Sequence, residues 1–239
     1  MTGQIKLERL NNNGPHVHRG PLIESLLADA VTSFDDYVRL GGYEVARQMD
    51  REASIQMLEE AGLRGRAGGG YPTAHKWWLV SRQEDEEKYF ICNANAGQAG
   101  GFKERYLLNT NPRRIVEAVV CGALVVGART AFIALPPQFA AEAQALEEAI
   151  KEATEAGFIG PDLRVFVYRS LGGYIIGEET ALMELIEGKI GRPRTKPPLP
   201  TARGVFSKPT AVSNLETLLQ AHYILKTGAQ KFRDRKSVV

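Results

Sequence analysis

The sequence is poor in the residues that announce the easily read classes. Only two cysteines, Cys92 and Cys121, occur in 239 residues. Each sits in an apolar run and neither fits a Cys-x-x-Cys or Cys/His spacing, which argues against a disulfide framework, a zinc site or an iron–sulfur ligand set here. Both are expected as buried thiols in a reducing compartment. Neither sign of charge dominates, with 30 Lys plus Arg against 28 Asp plus Glu, so no basic field would gather nucleic acid. The longest apolar run, Ala118 to Ala128, falls well short of the ~20 residues that span a bilayer. The polar start Met1-Thr2-Gly3-Gln4 gives no secretory signal. A cytoplasmic location is expected, with docking onto a membrane complex compatible with it. Walker A is also missing, because no Gly-Lys-Ser/Thr closes the main glycine cluster, and GxGxxG does not fit it.

What remains is enough hydrophobic content, 44%, for one sizeable core. Residues 1–50 read as an N-terminal arm with short helices over Leu22–Asp29 and Phe34–Leu40, and residues 51–239 as an α/β domain. Ser54–Ala61, with apolar residues at helical spacing and Gly62 at its end, predicts a helix. Trp77–Ser81 and Lys88–Asn93 read as strands. Ile115–Gly127 reads as a buried helix, Thr130–Leu135 as a strand, Phe139–Ala156 as an amphipathic helix ended by Gly157, and Leu163–Tyr168 as a strand. Strand, helix, strand at this spacing is βαβ, so a layered domain with at least one parallel strand pair follows. Its ligands would gather at the carboxyl ends of the strands, where Asn93-Ala94-Asn95 and Gly172-Gly173-Tyr174 fall. Asn214–Thr227 predicts a final helix.

Three blocks carry the chemistry. Gly65-Arg66-Ala67-Gly68-Gly69-Gly70-Tyr71-Pro72-Thr73 is a glycine-dense loop whose bare backbone N–H groups suit a phosphate or a flat ring, with Arg66 or Lys76 as counter-charge. No Mg²⁺ ligand pattern accompanies it, which favours a flavin mononucleotide over a triphosphate. A purely structural turn is the competing reading. Gly177-Glu178-Glu179-Thr180 places two carboxylates in the first turn of a helix, either to offset its dipole or to accept ribose hydroxyls. Lys196-Pro197-Pro198-Leu199-Pro200 reads as a stiff extended linker, and the run from Pro209 to Thr217 as a loop into a helix that Ser213 or Asn214 caps. His16 and His18 could hold a metal but lack further ligands, and no metal site is expected. His75, beside the loop, could touch ligand, whereas His222 sits on the tail helix.

Taken together, Gly62 to Thr73, Tyr174 to Leu182, Lys196-Pro197-Pro198 and Pro209 to Thr217 strongly resemble the flavin-binding NADH dehydrogenase subunit of respiratory complex I, a module shared with NAD-linked hydrogenases and formate dehydrogenases. The order and spacing agree over roughly residues 34–230. The resemblance implies a layered, Rossmann-like flavin-binding α/β domain with a mixed or parallel sheet and an N-terminal helical arm. One cavity would hold FMN and, stacked on it, NADH or NADPH. By the same resemblance, Gly65, Arg66, Gly68 and Gly70 cradle the cofactor, Tyr71 faces the dinucleotide, Lys76 lies near phosphate and Asn93 on the flavin. Tyr174 and Gly177 lie beside flavin and dinucleotide, Glu178 and Glu179 orient the dinucleotide, and Asn214 and Thr217 close the phosphate side.

The chain departs from the family pattern where Asn-Ala-Asp-Glu-x-Glu-Pro-Gly is replaced by Asn93-Ala94-Asn95-Ala96-Gly97-Gln98-Ala99-Gly100. Three carboxylates become neutral, although Asn95 and Gln98 can still accept hydrogen bonds within the binding site. Ala67 also replaces a family glycine. The family's ubiquitin-like and [4Fe–4S] domains do not appear before Val239, so electrons are expected to leave to another chain, notably an iron–sulfur subunit of a redox complex, or to a quinone or small molecule. Three functions follow: an FMN-binding NAD(P)H oxidoreductase subunit, a structural or regulatory subunit that has lost dinucleotide oxidation, or a flavoenzyme reduced by a protein partner.

Overall fold

The computed structural model describes residues 33–95, 97 and 101–236. The expected Leu22–Asp29 helix, the His16/His18 pair and Gln98 lie outside these residues. Four strands form one sheet: β1 (Tyr89–Asn93), β2 (Thr130–Leu135), β3 (Arg164–Arg169) and β4 (Thr210–Asn214), in the order β3-β2-β1-β4. All the pairings are parallel, so the sheet is not mixed. β4 was not anticipated, because its Thr-Ala-Val-Ser-Asn sequence is short and merges with the helix signal after it.

Ten α-helices surround the sheet among the described residues: α1 (Phe34–Arg39), α2 (Glu44–Arg47), α3 (Arg51–Glu60), α4 (Thr73–Ser81), α5 (Lys103–Thr110), α6 (Pro112–Val126), α7 (Ala140–Glu155), α8 (Glu179–Ile186), α9 (Leu215–Thr227) and α10 (Ala229–Lys236). Trp77–Ser81 is therefore helical, not a strand. Ala74, Trp77 and Ser81, three and four residues apart, are the buried face of α4, while Trp78 points outward. That spacing is a helical period, hidden by the unbroken apolar look of Trp77 to Val80.

Alternation along the strands divides the core. Phe90 and Cys92 point into the large cluster with α3, α4, α6, α7 and α9, whereas Ile91, Ala134 and Val212 meet Leu182 and Met183 of α8 on the opposite face. Helix α6 is started by Asn111, whose Oδ1 accepts from the Arg114 N–H at 3.0 Å, followed by Pro112, and is ended by Gly127 at φ 75°. Burial pushes the Cys92 thiol up to about 12, as befits an inert core thiol.

A buried group of polar side chains links helices across this apolar layer. Glu117, in the middle of α6, accepts a hydrogen bond from the Tyr37 hydroxyl of α1, and its other oxygen lies 3.1 Å from His222 Nε2 of α9. Burial alone would raise the Glu117 carboxyl, but His222 and Tyr37 outweigh it and hold it below the ordinary carboxylate value. The trio fastens the N-terminal helices to the domain.

Candidate functional site

Parallel pairing aligns the carboxyl ends of the strands, and the register sets Asn93 of β1 directly beside Asn214 of β4. Above these ends opens a cavity of about 770 Å³, within the ~300–1,000 Å³ range of small-molecule and cofactor sites. It gathers residues from six separate stretches of chain.

The glycine loop forms one wall. A bridge between Arg64 and Pro72 pinches its ends, with the Gly65 N–H donating to the Tyr71 carbonyl at 3.0 Å, and Thr73 then opens α4. Gly68 and Gly70 hold φ of 126° and 65°, a region L side chains avoid, and a Cβ at either would meet nothing within 4 Å. The loop is thus open over the cavity. Gly65, Arg66, Gly68, Gly70 and Tyr71 all line it. The Tyr71 hydroxyl reaches His75 Nδ1 at 2.8 Å, and the two rings stack 5.7 Å apart.

The floor is an alternating chain of charges. Lys76 Nζ donates to Glu179 Oε2 at 3.1 Å and to the Val212 carbonyl at 3.2 Å. Lys196 Nζ lies 3.0 Å from Glu178 Oε1 and 3.1 Å from Glu179 Oε1. Glu178 is also the N-cap of α8, its Oε2 accepting from the Thr180 and Ala181 N–H groups at 2.8 and 2.9 Å and from the Thr180 hydroxyl. Burial alone would raise the Glu178 carboxyl; the Thr180, Ala181 and Lys196 hydrogen bonds prevail and hold it low. Both readings of the paired carboxylates therefore have a physical basis: Glu178 stabilises the helix start, and Glu179 faces the cavity between two lysines. The Lys196–Pro200 segment bends instead of running extended, with both X–Pro bonds at Pro197 and Pro198 cis.

The strand ends supply the amides. Asn93 Nδ2 donates to the Ile176 carbonyl at 3.3 Å, and Asn93 Oδ1 accepts from the Asn95 N–H at 3.1 Å and from Asn95 Nδ2 at 3.2 Å. Asn95 Oδ1 in turn accepts from the Ser170 hydroxyl at 2.6 Å. Asn214 caps α9 by accepting from the Glu216 N–H at 3.0 Å, and Thr217 Oγ1 accepts from the Arg66 N–H at 2.9 Å. Tyr174, 78% exposed, and Gly177 complete the rim.

Sequence reasoning missed Lys103, Glu104, Ser213 and Gly97, which also line the cavity. Lys103 and Glu104 open α5, a helix that the sequence reading did not assign. Ser213 is held by the Trp77 indole N–H at 3.1 Å.

An open cavity at the carboxyl ends of parallel strands, walled by a glycine loop and floored by lysines and carboxylates, defines an α/β protein of the nucleotide-cofactor type. The family model of the Nuo51 FMN-binding domain matches residues 58–223, and the chain belongs to that family. It is 37% identical over 233 residues to the F subunit of the NADH-quinone oxidoreductase of Aquifex aeolicus, covering 92% of this chain and 54% of that one. To its Escherichia coli counterpart it is 36% identical over 212 residues, covering 84% and 48%. An NAD+-reducing [NiFe]-hydrogenase in the H2-reduced state superposes with a TM-score of 0.77 at 34% identity, over 86% of this chain and 35% of that one. The chain spans about half the length of the curated relatives it matches.

Proposed function

We propose that this chain is the flavin-holding part of an NAD(P)H oxidoreductase, with residues 51–239 forming the cofactor domain behind an N-terminal arm at 1–50. The observation that carries the reading is the convergence, on one cavity of about 770 Å³, of the glycine loop, the Glu178/Glu179 pair and the Asn214/Thr217 helix start. The fit to FMN rests on the donor set: an open glycine backbone for close approach to a ring or phosphate, and the start of α9 for an anion. FMN, when bound, supplies acceptance of a hydride and release of single electrons.

The chain's own residues bind and orient. Gly65, Gly68 and Gly70 would leave room for the cofactor, Asn93 and Gly177 would hold its ring, and Asn214 and Thr217 would hold its phosphate, all seven lining the same cavity. Tyr71 and Tyr174 offer aromatic faces to the dinucleotide, and Glu179, kept in place by Lys76 and Lys196, accepts its hydroxyl groups. Lys196 keeps the adjacent carboxylates from repelling each other. Electrons would pass to an iron–sulfur subunit of a redox complex. No helix among the described residues is long and apolar enough to cross a membrane. The proposed place of the chain is a cytoplasmic subunit docked on a larger assembly.

Asn95 favours a second reading. Its carboxamide is tied up by Asn93 and Ser170 where the family pattern has a carboxylate, which suits a subunit that keeps flavin but no longer oxidises the dinucleotide. Anaerobic addition of NADH or NADPH to the FMN-loaded chain separates the two. Bleaching of the flavin absorbance supports oxidation, and absorbance that stays constant with both nucleotides supports the second reading. A colourless chain that takes up no added FMN rules out both.

A further inference from the structure

Among the described residues, four cationic side chains border the cavity: Arg66, Lys76, Lys103 and Lys196. Three are matched by carboxylates, Lys76 by Glu179 at 3.1 Å, Lys103 by Glu216 at 2.8 Å and Lys196 by Glu178 at 3.0 Å. Arg66 differs. Among the described residues its side chain is held by a neutral group, its Nε donating to Gln220 Oε1 at 3.2 Å.

Gln220 is only 2% exposed and is itself anchored. Its Nε2 donates to Glu216 Oε1 at 3.0 Å, one turn earlier on α9, while the second Glu216 oxygen holds Lys103. The backbone of Arg66 is fixed to the same helix through Thr217 Oγ1 at 2.9 Å. An amide at position 220 aims the guanidinium without cancelling its charge, which a carboxylate there would do. Arg66 is also placed at the beginning of a 13-residue helix, where the backbone already favours an anion.

We propose that Gln220 is a positioning residue that presents Arg66 to the phosphate monoester of the bound flavin nucleotide, with Glu216 and Lys103 as its anchor. The proposal rests on the flavin reading above. It gives the phosphate contact to Arg66 instead of Lys76, whose charge is already met by Glu179. A planar guanidinium also matches a phosphate better than an ammonium does.

The test compares FMN with riboflavin, which lacks the phosphate, by fluorescence titration of the flavin-free chain. The unaltered chain should prefer FMN. Gln220→Leu and Arg66→Met should each weaken FMN by about tenfold or more and leave riboflavin unchanged. The double variant should lose little beyond either single one, because both remove the same contact. Gln220→Glu, which keeps a buried polar partner but neutralises Arg66, should show the same split even if the leucine variant folds poorly. Equal losses for both flavins, additive losses, or FMN binding unaffected by these changes would overturn the proposal and leave the flavin reading standing. An unaltered chain that binds neither flavin overturns the reading and the proposal with it.

Discussion

Lys76 and Glu179 meet at 3.1 Å although 103 residues separate them in sequence. The lysine comes from the helix that the glycine loop starts, and the carboxylate from the first turn of α8. Their contact ties the two motif blocks to one site. Replacing Glu179 by Gln removes the charged acceptor but leaves Lys76 its bond to the Val212 carbonyl and Lys196 its bond to Glu178. Hydrogen bonds to charged groups contribute ~1.5–3 kcal/mol each. The Glu179→Gln variant should therefore retain its flavin content while the NADH concentration for half-reduction rises about tenfold or more. Anaerobic titration followed at the flavin absorbance measures both.

Glu178 is expected to respond differently, because its carboxylate caps α8. Glu178→Ala should destabilise the fold by ~0.5–2 kcal/mol, the usual cost of losing a cap, as read by urea unfolding at neutral pH. The pH dependence follows from its depressed folded value. A carboxyl lowered by folding contributes stability above its unfolded value, near the ordinary 4.5, and loses that contribution as the pH falls through the folded one. The stability gap between the unaltered chain and Glu178→Gln should therefore be widest at neutral pH and shrink in acid.

The layered α/β frame was legible because α7 carries a clean helical period and β2 and β3 are short apolar runs on either side of it, and the glycine, Glu-Glu and Asn-Leu-Glu-Thr blocks were legible because their residue types are unusual together. The helix at Thr73–Ser81 was hidden because Trp77 to Val80 is apolar without a break, so the outward-facing Trp78 masks the helical spacing of the buried Ala74, Trp77, Val80 and Ser81. The polar partners of the site were less visible still. Lys103, Gln220 and Ser213 are common residues whose importance comes from the ends of β1 and β4 lying beside the starts of α5 and α9, and Gln220 looks like any surface glutamine until α9 turns it inward. The Glu117–His222 pairing was likewise hidden, since a carboxylate within an apolar helix gives no sign of which distant base will meet it.

That pairing makes its own prediction. Removing the Glu117 carboxylate leaves the buried Tyr37 hydroxyl and the buried His222 ring without their acceptor, at a cost of ~1–3 kcal/mol for each group left unsatisfied, so Glu117→Leu should be among the most destabilising single changes in the chain. Tyr37→Phe deletes only one hydrogen bond to the same carboxylate, with a loss of ~1.5–3 kcal/mol. Because Tyr37 links α1 to α6, the second change should also raise protease cleavage near residues 33–50 more than it lowers the urea midpoint. The Glu117 carboxyl is held low by its partners, so its contribution, like that of Glu178, fades as the pH falls.

The last prediction concerns the mouth of the cavity. A Cβ on Gly97 would lie 2.8 Å from the Tyr174 Cα and 2.9 Å from the Gly173 carbonyl oxygen, both backbone atoms that cannot rotate aside. Gly97 itself rests on Gly173 and Tyr174, which follow β3, so Gly97→Ala must push these residues away from it. Overpacking of this kind costs ~1–3 kcal/mol in a well-packed core, but here both segments border solvent and can separate. The strain should therefore appear in ligand affinity more than in stability: FMN binding should weaken severalfold while the urea midpoint moves little. Gly122→Ala is the internal control, because its Cβ would strike the Phe90 ring inside the sealed core between α6 and β1, where neither element can move. That variant should lower the urea midpoint clearly and leave the FMN affinity of the folded fraction unchanged. A Gly97→Ala chain that unfolds as readily as Gly122→Ala would show that the two loops belong to the rigid core and do not form a yielding rim.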